Sequence, residues 1–163
     1  PRSSGQIPIY YNQKAVEYKE DYFDLTGKPL YPFGYGLSYS TFEYLDLQMK
    51  QDVITISELN NEQYVEVSVN VKNTSNLAGV EVVQLYIHDI EASITRRKKE
   101  LKAFKKIRIA GNETAKVTFK LTKSTFEIWS INNKYEVEPG GIEIFVGGSS
   151  DTKLTGRVSI IGG

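Results

Sequence analysis

Asp and Glu, twenty in all, are the most numerous groups in this chain that could move a proton or attack a carbon. Paired carboxyls, one ionised and one protonated, are a common instrument of acid–base chemistry. Most carboxylates here alternate with apolar residues, as Glu66 does between Val65 and Val67, which makes them solvent-facing strand positions rather than a reacting pair. His88 is the only histidine, and a chain without cysteine offers it no second soft ligand for a metal. It is read as a residue at the end of a strand. Neither Ser3-Ser4-Gly5 nor Gly147-Gly148-Ser149-Ser150 has the G-x-S-x-G order of a nucleophile elbow. Gly34-Tyr35-Gly36 is followed by no lysine and no helix start, so it reads as a tight turn and not a phosphate loop. No catalytic residue, cofactor or metal is assigned.

Charge adds little. Twenty basic residues balance twenty acidic ones, so no net field steers nucleic acid or an anionic membrane. The one concentration, Arg96 to Lys99 continued by Lys102, Lys105 and Lys106, is read as a solvated loop plus an exposed strand face, with Leu101 and Phe104 on the other face. Asn73-Thr74-Ser75 and Asn112-Glu113-Thr114 match the glycosylation acceptor pattern but carry no weight on that short match alone. No apolar run approaches the ~20 residues that span a bilayer, and no nucleic-acid or membrane partner is expected. The lack of cysteine removes disulfides and leaves a bacterial secreted or periplasmic placement and a cytoplasmic one equally compatible. A chain opening on Pro1-Arg2 reads as an excised fragment or a processed chain, with the fragment favoured.

The elements that must position these groups divide near Tyr39. Eight of the eleven tyrosines lie in the first 44 residues, around proline and glycine positions that forbid a long helix or strand. Residues 1–39 are therefore expected to form an extended aromatic arm lying against a surface. Tyr10, Tyr11, Tyr31, Phe33, Tyr35 and Tyr39 are its docking candidates. Beyond it, Val65, Val67, Val69 and Val71 alternate with Glu66, Ser68, Asn70 and Lys72, the pattern of a half-buried strand. Glu81 to His88 is apolar on both faces, with Val80 and Val82 on one and Val83, Leu85 and Ile87 on the other, and reads as a central strand. Ile107 and Ile109, then Val117, Phe119 and Leu121, flank the turn 110–113. Ile142, Ile144 and Val146, then Val158 and Ile160, follow, and Phe42 begins the first strand. About seven short strands without a convincing helix predict an all-β, immunoglobulin or fibronectin type III-like β-sandwich over residues 40–163. Tyr86 and Trp129 are placed in its core.

The run Pro29 to Phe42, PLYPFGYGLSYSTF, resembles the segment that joins the α/β sandwich domain to the C-terminal fibronectin type III-like domain in glycoside hydrolase family 3, the family of β-glucosidases and β-xylosidases. Pro1 to Lys14 is similar to that family's exit from the α/β domain. Glu81–Asp89, Glu100–Ile109, Val117–Thr122 and Val137–Ser150 are similar to the core of its last domain. Arg96 to Lys99 departs from the proline-containing approach usual before the Glu100 segment, and Ala103 stands where glycine is usual.

The resemblance implies a non-catalytic accessory and structural domain of an enzyme that hydrolyses terminal β-linked sugars, most typically a β-glucosidase. The nucleophilic aspartate and the proton donor would lie upstream, and no position here matches either motif. The implied partners are the enzyme's own N-terminal barrel and α/β domains. Without them the arm is expected to be disordered, to fold back, or to be satisfied by an arm-mediated homodimer. Two other readings are an autonomous carbohydrate-binding module, which needs several coplanar aromatics, and an immunoglobulin-like interaction domain unrelated to sugars.

Overall fold

The computed structural model describes Tyr11 and residues 28–163. Its elements run β1 (Phe42–Met49), β2 (Val53–Thr55), α1 (Ile56–Asn60), β3 (Val65–Asn73), β4 (Gly79–Asp89), β5 (Glu100–Ile109), β6 (Thr114–Leu121), α2 (Lys123–Phe126), β7 (Ile128–Trp129), β8 (Tyr135–Glu136), β9 (Gly140–Gly147) and β10 (Thr155–Ile161). Seven strands have seven residues or more, which matches the expected number, and β2, β7 and β8 are short additions.

Valines at every second position give β3 one buried face, because successive side chains in a strand point to opposite sides. That face of the three-stranded sheet β1-β3-β6 lies against the five-stranded sheet β2-β10-β9-β4-β5. Val65, Val67, Val69 and Val71 meet Val83, Leu85, Ile87, Ile144 and Val146 in one continuous cluster. Full burial of each such side chain contributes roughly 1.5–3 kcal/mol. The chain is an all-β sandwich, as expected.

β5 and β6 flank the 110–113 turn but belong to different sheets, so this connection is an arch over the core. It is locked by Asn112 at φ 61° and by Gly111, where a Cβ would lie 2.2 Å from the Asn76 carbonyl oxygen. β1 lies at the sheet edge, with a register shift between Leu45 and Gln48 and Asp46 at φ 52°. The single-turn helix α1 was not anticipated, although Thr55-x-x-Glu58 spells a capping box. The Thr55 hydroxyl accepts from the Glu58 N–H at 3.0 Å, and the Glu58 carboxylate accepts from the Thr55 N–H at 2.7 Å.

Three expectations are corrected. Trp129 is not core: Phe126 and Ile128 point inward, and period two turns Trp129 outward, 51% exposed. Val80 and Val82 are exposed, so β4 is buried on both faces only from Val83 onward. Phe104 is exposed opposite Gln84, and the basic run is not simply solvated. The Lys99 ammonium donates to the carbonyls of Ser150 (2.9 Å) and Thr152 (3.0 Å) and lies 4.2 Å from the centre of the Phe145 ring. Arg96 and Lys102 both hold Glu100 at 3.1 Å.

Candidate functional site

The aromatic arm is positioned by a turn. The Tyr35 N–H donates to the Pro32 carbonyl at 3.0 Å, with Gly34 at φ +79°, the geometry of a type II turn whose third position demands glycine. A Cβ at Gly34 would stand 2.0 Å from Gln84 Oε1. Gln84 is buried on the outer face of β4, and its amide nitrogen donates to the carbonyls of Gly34 (3.1 Å) and Gly148 (2.7 Å). Its oxygen accepts from the Tyr86 hydroxyl. The Ser150 N–H donates to the Phe33 carbonyl at 2.9 Å. The arm is thus fastened to the sheet through backbone groups, with one buried glutamine as the clamp.

The docking candidates separate into two groups. Tyr11 stacks on Phe33 at 4.0 Å and meets Tyr86 edge-on at 6.1 Å, so Tyr11 closes over the outer face of β4 while Phe33 covers Tyr11 and stays exposed itself. Tyr31 and Tyr35 stack on each other at 5.5 Å and stay exposed, and Tyr39 is fully exposed. Tyr10 lies outside the described residues. Leu30 and Leu37 extend the exposed row and were missed. Their signal was present in PLYPFGYGLSY, where every apolar residue was weighed only by its ring.

Several carboxylates are occupied structurally. The Tyr44 hydroxyl donates to Glu81 at 2.5 Å. Burial holds the Glu81 carboxyl above its ordinary range, and burial together with Glu81 pushes the Tyr44 phenol up. Glu138 accepts from the Ser93 N–H (2.7 Å) and hydroxyl (2.5 Å). Asp89 is raised chiefly by burial, against the pull of Arg96 at 3.9 Å, with Glu138 adding a smaller upward push. His88 donates from Nδ1 to the Arg97 carbonyl at 2.8 Å, tying the 90–99 loop to β4. Asn73 is fully buried, with its amide nitrogen given to Leu77 (2.8 Å) and Ile109 (3.2 Å), so it is a strut and not a glycan acceptor. Among the described residues no group of three or more His, Cys, Asp or Glu is placed to hold a metal ion.

A second surface was not anticipated. The hairpin β7–β8 presents Trp129 and Tyr135 edge-to-face at 5.1 Å and 78°, both largely exposed. Glu136 stiffens it by accepting from the Ser130 hydroxyl, from the Asn132 amide at 2.8 Å and from Lys134 at 2.8 Å. These donors, Lys134 first, hold its carboxyl down to about 2. Beside the hairpin an open groove of about 400 Å³ runs to Tyr11, with Glu100, Leu101 and Ile128 along it.

A fibronectin type III-like domain is matched over residues 81–150. The chain is similar to a putative beta-xylosidase of Formosa agariphila, 44% identical over 95% of this chain and 20% of that protein. It is also similar to the periplasmic beta-glucosidase of Salmonella typhimurium, 38% identical over 99% of this chain and 22% of the relative. The crystal structure of a beta-glucosidase from Listeria innocua in complex with glucose superposes with a TM-score of 0.86 at 37% identity, over all of this chain and 23% of that one. The chain therefore spans about a fifth of the length of the relatives it matches.

Proposed function

We propose that this chain is a C-terminal portion of a glycoside hydrolase family 3 enzyme, carrying the fibronectin type III-like domain, and that it is the accessory module of a hydrolase of terminal β-linked sugars, most typically a β-glucosidase. It has no catalytic role of its own, and it works by packing on the barrel and α/β domains of the same polypeptide. Residues 1–39 are the connector from the α/β domain and residues 40–163 the sandwich. Ser40, buried at the head of β1 with its hydroxyl donating to the Leu77 carbonyl at 3.2 Å, supports that division.

One observation carries the docking reading. Leu30, Tyr31, Tyr35, Leu37 and Tyr39 form a row of exposed apolar side chains on a segment whose backbone is pinned by Gln84 and Ser150. Apolar groups held in order without cover mark an interaction surface. Tyr31, Tyr35 and Tyr39 dock, whereas Tyr11 and Phe33 brace the arm from beneath.

The test is hydrolysis of aryl β-glucosides and β-xylosides by the chain alone and after recombination with a separately produced N-terminal portion of the enzyme. Silence alone, activity on recombination, and at least tenfold weaker association of the Y31A/Y35A/Y39A variant are the expected results. Hydrolysis by the chain alone would overturn the accessory reading. A stable homodimer abolished by the same triple variant would assign the arm to self-association instead.

A further inference from the structure

The groove beside the β7–β8 hairpin has the makeup of a site for an uncharged polyol. Its aromatic lining comes from separate parts of the chain, Tyr11 and the pair Trp129 and Tyr135. Trp129 and Tyr135 meet nearly at right angles, so one ring can stack on the face of a pyranose while the other closes against its edge. Both are exposed on a hairpin held by the three donors to Glu136, so little order must be gained on binding. About 400 Å³ lies within the range of small-ligand sites, roughly 300–1,000 Å³.

The polar groups can serve hydroxyls in both senses, with Arg96, Arg97 and Lys102 as donors and Glu100 and Glu127 as acceptors. Arg96 and Lys102 both lie 3.1 Å from Glu100, Arg96 also lies 3.9 Å from Asp89, and Glu127 faces Lys123 at 3.6 Å. An anion at Arg96 or Lys102 would have to compete with Glu100, and a cation at Glu100 would have to displace both. A hydroxyl need do neither. A carboxylate has about four lone-pair positions, so Glu100 can accept from a sugar hydroxyl while keeping both partners.

We propose that this groove is an ancillary binding site for a β-linked oligosaccharide, with Trp129 and Tyr135 as the stacking platform, Tyr11 as a further aromatic wall and Glu100 as the acceptor for ring hydroxyls. The site is independent of the docking row, since none of Tyr31, Tyr35 and Tyr39 lines it. It holds a polymer chain near the enzyme without contributing to bond cleavage.

Calorimetric titration of the 163-residue chain with cellotetraose and xylotetraose tests this directly. Saturable binding to at least one is expected, weakened tenfold or more by Trp129→Ala and by Tyr135→Ala, and unchanged by Y31A/Y35A. Trp129→Phe, which retains a ring, should restore a large part of the affinity, and an unchanged thermal midpoint in each variant separates lost binding from lost fold. Absence of binding to both sugars at millimolar concentration would overturn the proposal, as would binding indifferent to Trp129. Loss of association with the N-terminal portion of the enzyme on Trp129→Ala, without sugar binding, would make the hairpin a docking surface and equally overturn it. The docking row could fail its own test while this site passes, because the two sets of variants do not overlap.

Discussion

The two faces of β4 are closed by different means. Inward, Val83, Leu85 and Ile87 meet the opposing sheet, and side-chain alternation alone decides what is buried. Outward, Gln84 and Tyr86 are just as buried, yet they are covered by a turn, two rings of the arm and a glutamine clamp, while Val80 and Val82 on the same face stay open. A sheet closes its partner face as a unit. An irregular segment closes only the patch its hydrogen bonds can reach.

That contrast predicts a gradient of effects. Leu85→Ala on the inner face should lower stability by about 2–5 kcal/mol, read by urea denaturation, because a cavity is left in a packed interior. A cost below about 1 kcal/mol would mean that the inner face is no more demanding than the outer one. Gln84→Leu strands the carbonyls of Gly34 and Gly148 and the Tyr86 hydroxyl. It should cost about 1–3 kcal/mol, with amide exchange accelerating first at Ser150 and Tyr35. Exchange that accelerates uniformly would show that the arm is not a separate closure. Gly34→Ala forces a left-handed alanine against Gln84 and should cost about 1–2 kcal/mol with the same local signature.

Two smaller effects depend on pH. The folded Glu81 carboxyl is held above its ordinary 4.5, so between the two values the folded chain binds more protons than the unfolded one. Stability is then fully present below pH 4.5 and falls as pH rises through the folded value. Glu81→Gln should flatten this part of a stability-versus-pH curve, and an unaltered slope would exclude Glu81 as its source. Glu136 has the opposite sign. Its carboxyl is lowered to about 2, so its contribution is present above 4.5 and is lost as pH falls toward 2. Trp129 is the single tryptophan, and its emission should shift with that titration while the core strands remain intact. A shift that tracks global unfolding would remove Glu136 as the brace of the hairpin.

The inner face was legible because strand burial is written at period two: β3, β6, β9 and β10 all fall where their apolar residues alternate. Trp129 was misplaced because a short apolar run was counted as a block, whereas parity with Ile128 turns it outward. The Pro32–Tyr35 turn could be read from its glycines. Its clamp could not, since Gln84 in a strand has no local mark of a partner fifty residues away. The groove was beyond reach for the same reason: Tyr11, Glu100 and Trp129 share no spacing and meet only through the fold. Coplanar aromatics at regular intervals were sought, and a right-angled pair was found.

The place of β10 in its sheet also bears on how the chain is made. β10 lies between β9 and β2, and among the described residues β2 has no other strand neighbour, so there Val53–Thr55 pair only with Ser159–Ile161, about a hundred residues downstream. At a synthesis rate of about 5–20 residues per second, the ribosome takes roughly 5–20 s to deliver that partner. During this interval Val53–Thr55 is without its strand partner and open to any other strand in the cell. Completion of the sandwich is therefore timed by translation, and its nascent form is the stage at which a chaperone has most to shield.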